Sequence, residues 1–324
     1  MIAVDEISGS VINGYVTALS PVVHNEIFDL GYTKVKGAPN KQRMMTYALH
    51  DEDGNAINAL VPVVSGNSIR GIARRLLFDF SFAALETTIG ELIPSNEEAK
   101  RITYFFRNGG LTPKGFSPVP AKIGTYAKIR TIPWLGLLGG VYLGHQFGGS
   151  LSTSILMPVT RETLPLCSDT VKKEMEGKSL PPLSDLQSLH SIRYTRRADE
   201  DNEDENRDDT AEKDPEAMIF GTEYIPAGTV FDFTASVDSD DEGVVAAFFA
   251  ALALLSRHGK IGGMNGRGHG YVKFQLGIDE AQCLKRYEDY LVKHKDDIIA
   301  NIRSIPTLLE SVKKEKKEPK KGKR

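Results

Sequence analysis

Residues 64–80 read VSGNSIRGIARRLLFDF. Ile69, Ile72, Ala73, Leu76, Leu77 and Phe80 fall at i, i+3, i+4, i+7, i+8 and i+11, one apolar stripe at a 3.6-residue period. The spacing predicts a helix over 67–80, with Ser65, Asn67 and Ser68 supplying N-cap chemistry just ahead of it. The Gly-Asn-Ser opening exposes backbone N–H groups where the helix dipole favours an anion. Arg70 and Arg74, four apart on one face, are placed to clasp the same phosphate. A well-capped surface helix with ordinary arginines accounts for the same residues.

Working outward, the flanking segments are strands. SVINGYVTALS (10–20) is dense in Val, Ile, Tyr and Thr and stops at Pro21. LSTSILMPV (151–159) has strand character. In TVFDFTASV (229–237), Phe231, Phe233, Ala235 and Val237 face one way; Asp232, Thr234 and Ser236 face the other. Residues 243–258 form a nearly all-apolar helix that must be buried on most sides. YVKFQLG (271–277) is the last strand. The order β-α-β-β-α-β predicts an α+β, ferredoxin-like domain over 1–277: a four-stranded antiparallel sheet backed by two helices. That is also the RNA-recognition architecture. Three insertions interrupt it, at 21–60 (a long loop or hairpin), 81–148 (a helix at 97–106, then irregular Gly- and Pro-rich sequence) and 160–226. A C-terminal extension, 278–312, reads as two polar helices at about 279–294 and 296–311. No internal repeat is visible.

The net charge of −3 conceals segregation. Residues 197–216 (RADEDNEDENRDDTAEKDPE) carry eleven acids and three bases, and the tail 313–324 (KKEKKEPKKGKR) carries eight bases and two acids. Neither has apolar residues to anchor it in a core, so both read as solvated segments. The tail also suits an electrostatic arm for nucleic acid, and the acidic run a repulsive flap.

Several classes are excluded. The longest apolar run, Val244–Leu255, has twelve residues, and a membrane-spanning helix needs about twenty. MIAVDEISGS has neither a basic n-region nor an apolar h-region, so no secretory signal is expected. Cys167 and Cys283 stand alone, outside any CxxC, which argues against a disulfide framework or zinc site and fits a cytoplasmic protein. No HExxH, GxSxG or GxxxxGK[ST] occurs, and no cofactor or metal is expected.

A second segment carries chemistry: GGMNGRGHGYV, 262–272, with five glycines among nine residues from Gly262 to Gly270. Such density allows tight turns or close approach of a ligand's backbone, and Asn265, Arg267 and His269 are its polar side chains. It is not a dinucleotide fingerprint, because it follows a helix and opens a strand. Arg193, Tyr194, Arg196 and Arg197 set an aromatic among cations, a composition suited to base stacking with phosphate contact. Lys34, Lys36, Lys41 and Arg43 are the bases of the first insertion; Lys122, Lys128 and Arg130 make a weaker cluster in the middle one. His24, Glu26 and Asp29 lie close enough in sequence to form an acid–base set.

Taken in this order on this scaffold, the two segments resemble the RAMP superfamily of CRISPR effector proteins, and in particular the repeated backbone subunit that lines the guide RNA. SGNSIRGIARR is similar to the run that opens the family's first palm helix. GGMNGRGHG is similar to its glycine loop before the last palm strand. LGLLGG (135–140) and EYIPAGTVFDF (223–233) resemble looser traits. The resemblance implies an RRM-like palm with fingers in 81–148 and a β-hairpin thumb in 160–226. It implies copies stacked along guide RNA, with target DNA or RNA and other effector subunits as partners. It places guide phosphates at Ser68, Arg70 and Arg74, the loop residues Asn265, Arg267 and His269 beside the RNA, and Arg193, Tyr194, Arg196 and Arg197 in the thumb. Lys34, Lys36, Lys41 and Arg43 would line the first loop. Type III members cut target RNA with a first-loop aspartate in a Gly-rich context. SPVVHNEIFDLG has no glycine before Asp29, which is more similar to the non-cutting type IV backbone protein. The expectation is therefore a non-catalytic RNA-binding subunit. The alternatives are an endoribonuclease using Asp29 and a monomeric guide-processing nuclease using His24.

Overall fold

A computed structural model describes residues 10–26, 40–50, 54–111, 116–122, 124–187, 190–196, 218–309 and 311–313. The central sheet is antiparallel throughout. Val11–Ala18 pairs on one side with Val230–Val237, from Val11 opposite Ser236 to Thr17 opposite Val230. On its other side it pairs with Val272–Gln275, Ala18 facing Val272. Beyond Val230–Val237 lies the remaining strand, in two pieces, Leu151–Thr153 and Met157–Pro158. In chain order the strands stand 4-1-3-2, the arrangement of the split β-α-β pattern. The 151–159 segment is broken because Ser154 turns its hydroxyl to the Thr234 N–H (2.9 Å) while its own N–H donates to the Thr234 carbonyl (2.8 Å).

The alternating side chains sort as expected. Ile12, Val16, Phe231, Phe233, Val272 and Phe274 are buried against the helices Gly66–Ala84 and Glu242–His258, in one core with Ile69, Leu77 and Phe248. Each large apolar side chain so buried contributes about 1.5–3 kcal/mol. The second helix is buried almost all round; Tyr290, on the extension helix Glu280–Lys293, crosses it at Gly243, where a Cβ would lie 2.5 Å from the ring. The last helix, Lys295–Leu308, completes the extension. Beyond it, Ser311–Lys313 pairs with Phe116–Pro118.

The middle insertion is part of the core rather than a decoration. Helix Asn96–Asn108 brings Phe106 to Phe82 and Trp134, and Phe105 to Tyr142 and Phe147. LGLLGG falls at the end of a short helix, Pro133–Leu138, and in the start of a hairpin, Gly139–Tyr142 with His145–Gly148. The first insertion contains a hairpin, Met44–His50 with Ala56–Pro62. The third contains another, His190–Arg196 with Met218–Tyr224; the acidic run between its strands lies outside the described residues.

The sheet's other face is covered as well. Helix Asp169–Met175 packs there with its cap residue Ser168, whose hydroxyl donates to Asp232 at 2.7 Å. Met157, Val159, Cys167, Val171 and Met175 form a second small core with Leu49, Val61 and Val63, and Tyr15 packs against it.

Candidate nucleic-acid interface

The two sequence motifs, some two hundred residues apart, meet through a strip just after the first strand. Val23 bridges the glycine loop: the Gly263 N–H donates to the Val23 carbonyl at 2.7 Å. Gly270 N–H donates to the Pro21 carbonyl at 2.8 Å. The next residue along, His24, reaches the other motif. Its Nε2 accepts from the Ser65 backbone N–H at 3.2 Å and lies 3.2 Å from the Ser65 hydroxyl. Ser65 is the N-cap of helix Gly66–Ala84, its hydroxyl accepting from the Ser68 N–H. Gly66 lets that helix start against the strand Leu151–Thr153, where a Cβ would sit 2.7 Å from the Thr153 carbonyl oxygen.

The same strip carries the first insertion and the end of the Met218–Tyr224 strand. Arg43 N–H donates to the His24 carbonyl (2.9 Å), Glu26 N–H to that of Lys41 (3.0 Å), and Val22 bridges Ile225. Gln42 is buried: its N–H donates to the Glu223 carboxylate (2.7 Å), and its side-chain carbonyl accepts from the His24 N–H (3.1 Å). One surface therefore gathers the helix entrance, the glycine loop, segment 40–43 and the third-insertion hairpin.

The glycines of this surface divide into two kinds. Gly262 and Gly270 are needed by the fold: both have positive φ (70° and 79°), and carbonyls of Val23 and Ile261 occupy the space a Cβ would take. Gly266 and Gly71 are not. Neither has positive φ; a Cβ on Gly266 meets nothing within 4 Å, and one on Gly71 meets only the Arg75 guanidinium at 3.8 Å. Gly71 sits inside a helix, where glycine costs roughly 0.5–1 kcal/mol relative to alanine. Among the described residues both leave space open, as close approach of a ligand requires.

The predicted residues are distributed as follows. Ser68 is half-buried in the first turn, and Asn67 beside it is exposed. Arg70 and Arg74 do lie together, but on protein: Arg74 donates to the carbonyls of Gly139 (2.8 Å) and Leu138 (2.9 Å), Arg70 to those of Leu138 (3.2 Å) and Leu151 (3.1 Å). Together their guanidiniums close on the negative, C-terminal end of helix Pro133–Leu138. Arg74 is buried, and burial with the neighbouring charge of Arg70 pushes its pKa down to about 10. Arg267 is exposed on the loop. His269, placed beside the RNA by the resemblance, is buried between Gly268 and Gly270, both in left-handed backbone. Asn265 is half-buried, its Oδ1 turned inward over Gly270 without a hydrogen-bond partner among the described residues. Lys41 is exposed and Arg43 half-buried, flanking the strip. Arg193, Tyr194 and Arg196 lie on a paired strand, opposite Gly221, Phe220 and Met218. Lys34, Lys36, Asp29 and Arg197 lie outside the described residues. Lys122, Lys128 and Arg130 are exposed, Arg130 donating to the Gly148 carbonyl at 2.9 Å.

His24 is neutral at physiological pH: burial first, then the charge of Arg43, lowers its pKa to about 4. Its Nε2 lone pair is engaged by the Ser65 N–H, a structural role at the helix cap. Among the described residues no group of three His, Cys, Asp or Glu side chains is placed to hold a metal ion. No helix among them is long and apolar enough to cross a membrane. Sequence reading missed Pro21 and Val23, which act through backbone carbonyls that carry no residue signature. It also missed Gly71 and Gly266, which were readable as motif glycines but not as open ones.

No family model matches the chain, and no curated protein matches it. Among solved structures it is similar to a chain of one titled "Type IV-B CRISPR Complex". The two are 20% identical; the match covers 83% of this chain and 92% of that one, with a TM-score of 0.48.

Proposed function

We propose that this protein is a non-catalytic, RNA-binding backbone subunit of a CRISPR effector complex. In this reading copies of the chain assemble along the guide RNA and present it for pairing with invading nucleic acid, DNA or RNA, beside other effector subunits. The observation that carries the reading is the junction at Val23 and His24, which puts the glycine loop and the helix entrance on one surface. Gly71 and Gly266 leave that surface open, and Asn67, Lys41 and Arg267 are exposed around it. Such a site grips a strand by its sugar-phosphate backbone, leaving sequence to base pairing. Arg74 serves this arrangement from inside, by holding the helix to Leu138 and Gly139.

The test is purification of the protein from cells that express its guide. RNA of one discrete length co-eluting with a large multi-copy particle is the expected result. A monomer with the absorbance ratio of plain protein would reject the reading. Incubating the particle with complementary RNA and magnesium tests the absence of catalysis: regularly spaced cuts lost in Asp29→Ala would make it an endoribonuclease.

A further inference from the structure

Helix Gly66–Ala84 carries a cation that the two motifs do not explain. Arg75 is exposed and, among the described residues, makes no ion pair or hydrogen bond; its guanidinium lies back over Gly71, one turn earlier. Helix Glu242–His258 packs against this helix, and its C-terminal end leads into the glycine loop. There Lys260 is held rather than loose: its Nζ stands 4.8 Å above the Tyr271 ring, and the two residues pair across an antiparallel bridge. A cation fixed on an aromatic face has surrendered part of its rotamer entropy before any ligand arrives. Tyr271 remains 42% exposed.

His258 ties these groups together. Its imidazole is held below the ordinary range by burial first, then by the charges of Lys260 and Arg75. Among the described residues the charges that act on it are cationic, and Glu280 is paired with Arg257 at 3.3 Å. Favourable placement of cations at a helix C-terminus accounts for Arg257 and His258. It does not account for Arg75, which belongs to another helix, or for Lys260, which lies beyond the cap glycine Gly259.

We infer that Arg75, His258 and Lys260 form a further phosphate-contact site for a single-stranded polynucleotide, continuous with the glycine loop. This rests on the RNA-binding reading above and extends the path of the strand along the outside of helix Gly66–Ala84, toward its C-terminal half. Two phosphates are the natural load, one at Arg75 and one at Lys260.

The experiment measures binding of a fluorescein-labelled single-stranded RNA by anisotropy between 50 and 200 mM salt. It compares the wild-type chain, Arg75→Ala with Lys260→Ala, the charge-keeping Arg75→Lys with Lys260→Arg, and a distant pair, Lys285→Ala with Lys293→Ala. Loss of two phosphate contacts should flatten the log–log salt slope by about 1.4. The charge-keeping pair should retain the slope, and the distant pair should leave it unchanged. An unchanged slope in the Arg75/Lys260 variant, with wild-type binding intact, overturns this inference and leaves the RNA-binding reading standing. An equal loss in the distant pair also overturns it, by showing a diffuse charge effect. A wild-type chain that fails to bind RNA overturns both.

Discussion

Arg70 and Arg74 donate to the same carbonyl oxygen, that of Leu138, at 3.2 and 2.9 Å. The i, i+4 spacing sets both guanidiniums on the end of a short helix in the protein itself. Arg74→Ala should cost about 2–3 kcal/mol, because charge-assisted bonds to two carbonyls are lost in a buried setting. Arg70→Ala should cost about 1 kcal/mol, since Leu138 keeps Arg74. Because the pair shares an acceptor, the double variant should depart from additivity by about 0.5 kcal/mol or more. Urea unfolding of the three variants measures all of this; strict additivity would argue against a shared acceptor.

The two kinds of glycine predict opposite outcomes. Gly71→Ala should leave the fold intact or stabilise it by roughly 0.5–1 kcal/mol, and Gly266→Ala should be close to neutral. Both should weaken RNA binding, by roughly tenfold or about 1.4 kcal/mol. Gly262→Ala and Gly270→Ala should instead destabilise the fold itself, by about 1–3 kcal/mol, through strain at positive φ. Melting temperatures and anisotropy on the four variants separate the classes.

His24 gives the fold a pH dependence with a definite sign. Its folded pKa, about 4, lies below the unfolded value near 6.5. Above 6.5 neither state binds the proton. As pH falls from about 6.5 toward 4 the unfolded chain takes it up first, and stability declines. His24→Gln, which retains an acceptor for Ser65, should flatten the urea midpoint across that window. A wild-type midpoint that stayed level between pH 7 and 4.5 would show that the imidazole is not held neutral.

Cys167 and Cys283 should be inert in the native protein. Burial pushes their thiols up to about 12 and 11, helped by the carboxylates of Asp232 and Asp279 respectively. Little thiolate exists near neutrality. Iodoacetamide should label neither until denaturant is added, and rapid native labelling at either position would contradict the burial described here.

Periodicity made the frame readable. The stripe from Ile69 to Phe80 and the alternation from Phe231 to Val237 each report their own burial, so the helices and the sheet could be ordered before any coordinate was known. The two glycine-bearing motifs were equally plain. What joins them was not: Val23 and Pro21 act through carbonyls, and every residue has one. The same reason hid the destination of Arg74, whose acceptors lie 64 and 65 residues away. The cover that Asp169–Met175 places on the sheet left no periodic trace either, because a seven-residue helix is too short to show one.

Val23 and His24 are adjacent in the chain yet answer to different structures, one pinning Gly263 and the other Ser65. So short a link behaves as a rigid yoke. A tug on the loop is delivered to the start of the helix with little slack, and release of either end frees both. On the proposed RNA-binding reading, the chain's grip on a strand should consequently engage and let go as a unit, giving a sharp threshold where two loosely connected halves would give a gradual one.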